Sequence, residues 1–198
     1  LHGALPISWF DDPTWFHRKV RVYVWWHESD YSYDFVREQE TTGDFPGGLK
    51  DLNTENPDVK TALIDSFKYW IDAADFDGFR IDTVKHIDRP EVDENVRGFW
   101  GDFDDAMRAE AKQLGKQNFF IFGEGFDGND ELIGSYTFGG TDAAGKFGRF
   151  DLIFYFSQKY RGIDAVFAQD QPTKNLECLY NARTGKPADA YCTANGYP

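Results

Sequence analysis

The chain has 198 residues, with 34 acidic and 21 basic side chains, so its formal charge is −13. That charge argues against nucleic acid and against an anionic membrane surface, both of which require concentrated Lys and Arg. Apolar residues make up 41% and aromatic residues 18%, enough for a folded core, and no apolar run approaches the ~18 residues of a membrane span.

In chain order, residues 1–8 (Leu-His-Gly-Ala-Leu-Pro-Ile-Ser) resemble a translated cloning or assembly adapter; an ordinary loop is the alternative. The single Met is Met107, and the chain ends in loop-like Thr193–Pro198, so the expectation is an internal fragment. Residues 9–48 are aromatic and irregular, and fit part of an inserted, loop-rich subdomain. Within them Val20 to Trp26 predicts one short strand. Asn56-Pro57-Asp58 opens a helix: Asn caps, Pro suits the first turn, and Asp suits the positive end of the dipole. Val59, Leu63, Phe67, Trp70 and Ile71 give it one apolar stripe.

A strand follows at 76–82 (Phe-Asp-Gly-Phe-Arg-Ile-Asp). The next helix is predicted from Glu94 to Leu114, with Val96, Phe99, Trp100, Phe103, Met107 and Leu114 inward and Gly115 as its C-terminal cap. Asn118 to Glu124 is a solid apolar run of strand length, as expected of a parallel strand covered on both faces. Residues 150–156 repeat that character. A short helix is expected near Ile163 to Gln169, and loop over 170–198. Helices alternating with strands imply a parallel α/β sheet. Cys178 and Cys192 are 14 positions apart, which allows either a disulfide or two free thiols.

Polar residues stand at the strand ends, where parallel barrels place their active sites. Side chains at i and i+2 of a strand share a face, so Arg80 goes with Asp82, and Glu124 with Phe120 and Phe122. Strands lie ~4.8 Å apart, so two carboxyls at matching heights can reach the ~5 to 5.5 Å separation used by retaining glycosidases. Arg80 should keep Asp82 ionised. Partial desolvation in a Phe-rich strand should raise the Glu124 pKa toward that of a general acid. A structural ion pair between Arg80 and Asp82, with Glu124 capping a loop, is the competing reading. Asp127, Asn129 and Asp130 read as a solvated loop, and so do Asp72, Asp75 and Asp77.

Gly78-Phe79-Arg80-Ile81-Asp82-Thr83-Val84-Lys85-His86 resembles the signature at the fourth barrel strand of glycoside hydrolase family 13, the α-amylase family. Phe122-Gly123-Glu124 is similar to that family's acid/base motif. Leu49-Lys50-Asp51-Leu52 resembles its Leu-Pro-Asp-Leu motif, with Lys50 in place of Pro. The resemblance covers about residues 9–170. It implies a partial (β/α)8 barrel over 49–198, about strands four to six, preceded by part of an inserted subdomain. It implies hydrolysis of α-1,4-linked glucans through a covalent glycosyl intermediate. Asp82 would be the nucleophile, Glu124 the acid/base and Arg80 the residue that orients and ionises Asp82. Lys85 and His86 would line the leaving-side subsites. Calcium would take the Asp51 carboxylate and the His86 backbone carbonyl. The family's Asn-His and Asn-His-Asp motifs are not in this sequence, so the 198-residue chain by itself is expected to be unstable and inactive, and its parent to be extracellular. A transglycosylase or glucan synthase on the same scaffold, or a non-catalytic sugar-binding relative, are the alternatives.

Overall fold

The computed structural model describes residues 11–19, 21–23, 32–87, 98–137 and 150–197. The chain divides into two compact units, Leu1–Gly125 with Ser135–Ile153, and Phe126–Gly134 with Phe154–Pro198. Among the described residues no helix is long and apolar enough to cross a membrane.

The segment before the first predicted helix is more regular than its sequence suggests. Helix α1 (Tyr33–Thr42) is capped by Ser32, whose hydroxyl accepts from Phe35 N. Its buried stripe is Val36, Gln39 and Glu40, so two of these three inward positions are polar and the apolar period is hidden.

The first unit is built on three parallel strands in the order β1 (Gly78–Ile81), β2 (Phe120–Gly123), β3 (Leu152–Ile153). The register pairs Gly78 with Phe120 and Ile81 with Gly123, then Gly123 with Ile153. Two helices cover one face of this sheet. Helix α2 (Pro57–Ala73) starts where expected: the Asn56 side chain accepts from Asp58 N at 2.9 Å, and Pro57 takes the first turn. Helix α3 (Gly98–Gln113) buries Phe99, Trp100, Phe103 and Met107, and Gly115 follows its end at φ +81°. Phe67 of α2 meets Phe79 of β1 and Phe103 of α3 edge-on at 5.1 and 5.0 Å, so the aromatic load closes the core between helices and sheet. Ile81 and Ile121 are buried as well. A short helix, α4 (Asp130–Ser135), falls between β2 and β3 in the chain.

Several expectations need correction. Trp70 is half exposed and stacks on Phe76; Leu114 is exposed and lies past the end of α3. Val96 and the start of that helix fall outside the described residues, as do Trp9, Phe10, Trp25, Trp26 and most of the strand expected at 20–26. Of that strand, Arg21 bridges to Asp44. Strand β3 is only two residues long. Its predecessor Asp151 offers a carboxylate, not a carbonyl, to Ile121 N at 2.8 Å, and binds Arg108 with the same oxygen.

In the second unit a π-type helix spans Gln158–Ala168, ahead of the start expected at Ile163. Its wide winding, with Gln169 N bonded to Asp164 O, does not carry a 3.6-residue period. Residues 170–198 are not loop throughout: they hold α5 (Lys174–Arg183) and α6 (Ala190–Ala194). The inward positions of α5 are Asn175, Cys178 and Leu179, again a stripe opened by a polar residue. A disulfide joins Cys178 to Cys192 and packs with Leu179, Tyr197, Tyr155, Ala188 and Tyr191.

Candidate active site

The parallel ladder places its two end carboxyls side by side. Glu124 N donates to Ile81 O at 2.7 Å, one step beyond the Ile81–Gly123 pair, so Asp82 and Glu124 leave their strands at the same level. Arg80, Asp82 and Glu124 then converge on the sheet face away from α2 and α3. Arg80 Nη1 donates to Asp82 Oδ2 at 3.1 Å, and Arg80 Nη2 to Glu124 Oε2 at 2.5 Å. Asp82 is 61% exposed and Glu124 25%, so both reach solvent and neither lies beneath a helix. Phe120 and Phe122, ring to ring at 5.7 Å, share this face with Glu124.

The two carboxyls also act on each other, and their acidities part. Glu124 holds Asp82 below the ordinary aspartate range, against desolvation, with smaller help from Arg80 and from Thr83 N–H. Desolvation raises Glu124, and Asp82 raises it further, against the pull of Arg80. When the pair holds a single proton, that proton therefore sits on Glu124 and Asp82 carries the charge. The direction of each shift is the expected one. The first cause for Asp82 is Glu124 rather than Arg80.

Gly123 is what allows β2 to end here. A Cβ at that position would sit 2.9 Å from Val84 Cγ1 and 3.0 Å from Phe150 Cδ2. Val84 N in turn donates to Glu124 O at 3.0 Å, which fixes the backbone of the acid/base candidate to the turn after β1.

That turn, Val84–His86, carries the two expected subsite residues, and both are buried, at 4% and 8% exposure. Lys85 Nζ donates to Glu40 Oε1 at 3.2 Å, and His86 Nδ1 donates to Glu40 O at 3.2 Å. Phe45 stands edge-on to the His86 ring. Glu40 itself is 1% exposed and was invisible to motif reading: it is a single acid in a polar helical stripe.

Asp51, the expected metal ligand, lies in a second cluster. His17 Nδ1 donates to Asp51 Oδ2 at 2.5 Å and His17 Nε2 to Glu55 Oε2 at 2.6 Å; with both ring nitrogens donating, His17 is an imidazolium. Bonds to Asp51 and then Glu55 push its pKa up to about 9. Burial pushes Asp51 up even though His17 pulls it down. Neither His17 nor Glu55 forms part of a recognisable spacing pattern, so nothing in the sequence singles them out.

The remaining candidates serve local structure. Asp127 Oδ1 accepts from Asn129 N, and Asn129 Oδ1 from Leu132 N. Asp130 accepts from Tyr155 Oη at 3.0 Å and from Ser157 Oγ. Asp75 and Asp77, both strongly exposed, hold Lys116 Nζ at 2.6 and 2.9 Å.

A family model described as "Alpha amylase, catalytic domain" matches residues 11–180. An α-amylase of Streptomyces lividans is 34% identical over 167 residues, covering 82% of this chain, while the chain spans only 16% of that relative. Among solved structures, an Anoxybacillus α-amylase aligns with a TM-score of 0.66 at 26% identity, over 90% of this chain and 32% of its own. An α-amylase from Geobacillus thermoleovorans, complexed with acarbose, aligns with a TM-score of 0.60 at 27% identity, over 87% of this chain and 33% of its own. With a catalytic-domain match that takes in both strand ends and the carboxyls they carry, the chain belongs to the α-amylase family.

Proposed function

We propose that this chain is the part of a (β/α)8 barrel, about strands four to six, that holds the nucleophile and the acid/base of a retaining glycosidase acting on α-1,4-linked glucans. The observation that carries this reading is the carboxyl pair at adjacent strand ends, bridged by one arginine, with the two acidities pushed in opposite directions. In the first step an Asp82 oxygen attacks the anomeric carbon as the glycosidic bond breaks. Glu124 transfers its proton to the departing oxygen, and the product is a glycosyl ester on Asp82. In the second step the Glu124 carboxylate takes a proton from water, the oxygen of that water attacks the anomeric carbon, and Asp82 leaves as a carboxylate. Arg80 orients both groups and favours the charged form of Asp82. The resemblance assigns Lys85 and His86 to the leaving portion of the glucan, although here both side chains turn inward to Glu40.

Calcium is part of the same reading. Asp51 would offer a hard carboxylate oxygen and His86 its backbone carbonyl. The donor chemistry fits. Even with His17 beside it, the buried Asp51 carboxyl is raised, so a further cation there would be favourable. Bound calcium would supply structural charge, not chemistry. A secreted parent protein is consistent with the disulfide.

The test is the pair of substitutions Asp82→Asn and Glu124→Gln in the full-length natural protein that carries this chain. Asp82→Asn should abolish turnover of maltooligosaccharides. Glu124→Gln should do the same, yet keep formation of the glycosyl ester from an aryl glucoside whose phenolate needs no proton. Unchanged turnover in either variant would remove the mechanism.

A further inference from the structure

Thr83 follows the nucleophile candidate directly and adopts the left-handed conformation, φ 53° and ψ 36°. For a β-branched residue this is a strained backbone, and such strain persists only where the surroundings over-determine it. The left-handed residue sits directly against the nucleophile candidate, and its N–H is among the groups that lower the Asp82 pKa.

What over-determines Thr83 lies in the next three residues. His86 N donates to Thr83 O at 2.9 Å and Val84 N to Glu124 O at 3.0 Å, while Val84 O accepts from Trp100 Nε1 at 3.0 Å. These bonds tie the turn to the end of β2 and to α3. On its other side the turn meets Glu40 of α1. Glu40 takes Lys85 Nζ on its side chain and His86 Nδ1 on its carbonyl, and both partners and Glu40 are buried. A buried ion pair of this kind adds little net stability; what it contributes is a held geometry. The groups facing Asp82 are Arg80, Glu124 and Thr83 N–H; those facing Glu40 include Lys85 and His86.

We propose that Glu40 is a positioning residue: by gripping Lys85 and His86 it keeps Thr83 left-handed, with the Thr83 N–H aimed at the Asp82 carboxylate. This rests on the reading of Asp82 as nucleophile. It gives the inserted segment a part in the reaction without any contact between Glu40 and the glucan.

Glycine adopts positive φ without strain, so it needs no clamp. The experiment is therefore a cycle in the full-length protein: wild type, Glu40→Gln, Thr83→Gly and the double variant, with kcat, KM and the acidic limb of kcat/KM on maltooligosaccharide. With Thr83 in place, Glu40→Gln should lower kcat about tenfold or more with a much smaller change in KM, and move the acidic limb upward as Asp82 loses its N–H donor. In the Thr83→Gly background the same substitution should cost less than about threefold and leave the limb in place. Equal losses in both backgrounds, or a loss carried by KM alone, would overturn the proposal and make Glu40 a structural or substrate-side residue. Should Glu40→Gln not fold, Glu40→Asp and the thermal midpoints of the same four proteins read the same coupling. Failure to fold in both backgrounds counts against it. An Asp82→Asn control separates the two levels: full activity there removes the nucleophile reading itself, whereas an inactive control with no coupling removes only the role of Glu40.

Discussion

Arg80 reaches across the strand boundary to Glu124, at 2.5 Å, more closely than it reaches Asp82 on its own strand, at 3.1 Å. One guanidinium thus sets the spacing of both carboxyls, which a lysine ammonium cannot do with a single point charge. Arg80→Lys should lower kcat by a factor on the order of a hundred while the fold, followed by circular dichroism, is retained. The Arg80 charge lowers the pKa of both neighbours, so weakening its hold should raise both. Both limbs of the pH–rate profile should then move to higher pH together. A profile that narrows, or moves down, would contradict the bridge.

The wild-type profile follows from the same two shifts. On the proposed mechanism activity requires Asp82 ionised, and its pKa is lowered, so the acidic limb should lie below the ordinary aspartate value of 3.8. Activity also requires Glu124 protonated, and its pKa is raised, so the alkaline limb should lie above 4.5. For stability, the lowered Asp82 contributes above 3.8 and loses its contribution as pH falls through its folded pKa. The raised Glu124 has the opposite sign: its contribution is full below 4.5 and is lost as pH rises through its folded pKa. The two limbs belong to the pair and report its macroscopic titration. Glu124→Gln should remove the alkaline limb from the ester-forming step with an aryl glucoside.

The shared face and level of Arg80, Asp82 and Glu124 were legible because a strand imposes a period of two and a parallel ladder imposes a level; spacing alone also fitted a structural ion pair, and only the nine-residue resemblance favoured a site. Helix α2 was legible through Asn56-Pro57 and its apolar stripe. Glu40 was not, because α1 turns Val36, Gln39 and Glu40 inward, and a buried polar residue has the same letter as a solvated one. Helix α5 was hidden for the same reason by Asn175, and its partner α6 is only five residues long. The π-type helix was misplaced because its winding departs from the period used to find helices. Long-range partners decide these cases, and no local pattern encodes them.

Gly123 offers a separate check on how the site is held. Its missing side chain leaves room for Val84 and Phe150, both buried. Gly123→Ala would press a methyl group into these two side chains, and overpacking of this kind costs about 1–3 kcal/mol. Because Val84 N is bonded to Glu124 O, the displacement should be felt at the acid/base. The expected result is a lowered thermal midpoint together with a kcat at least about tenfold lower. A loss of stability with unchanged kcat would mean that Glu124 is positioned independently of Val84.

Calcium can be tested without an activity assay. If Asp51 binds it, saturating calcium at about a hundredfold excess over Kd should stabilise the full-length protein by about 2.7 kcal/mol, read as a rise in the thermal midpoint. A chelator such as EGTA should reverse the rise. Asp51→Asn should abolish the response while leaving His17 its bond to Glu55. A midpoint indifferent to calcium in the wild type would assign Asp51 to the His17 cluster alone.

The disulfide allows the second unit to be weakened by itself. Cys178 and Cys192 close a loop across a separation of 14 positions, tying α5 to α6. Loop closure of that length is worth about 3 kcal/mol in the unfolded-chain account. Both sulfurs belong to buried residues, so reduction requires that unit to open first. Prolonged treatment with a dithiol, or the Cys178→Ala/Cys192→Ala variant, should therefore lower the thermal midpoint and expose the aromatic surface around Tyr191 and Tyr197. The named contacts of Arg80, Asp82 and Glu124 all come from the first unit. The limbs of the pH–rate profile should accordingly stay where they are, below the new melting temperature, even as stability falls. If reduction moved those limbs, the carboxyl pair would have to be coupled to the second unit, and Asp82 and Glu124 would no longer stand as a pair set by their own strand ends.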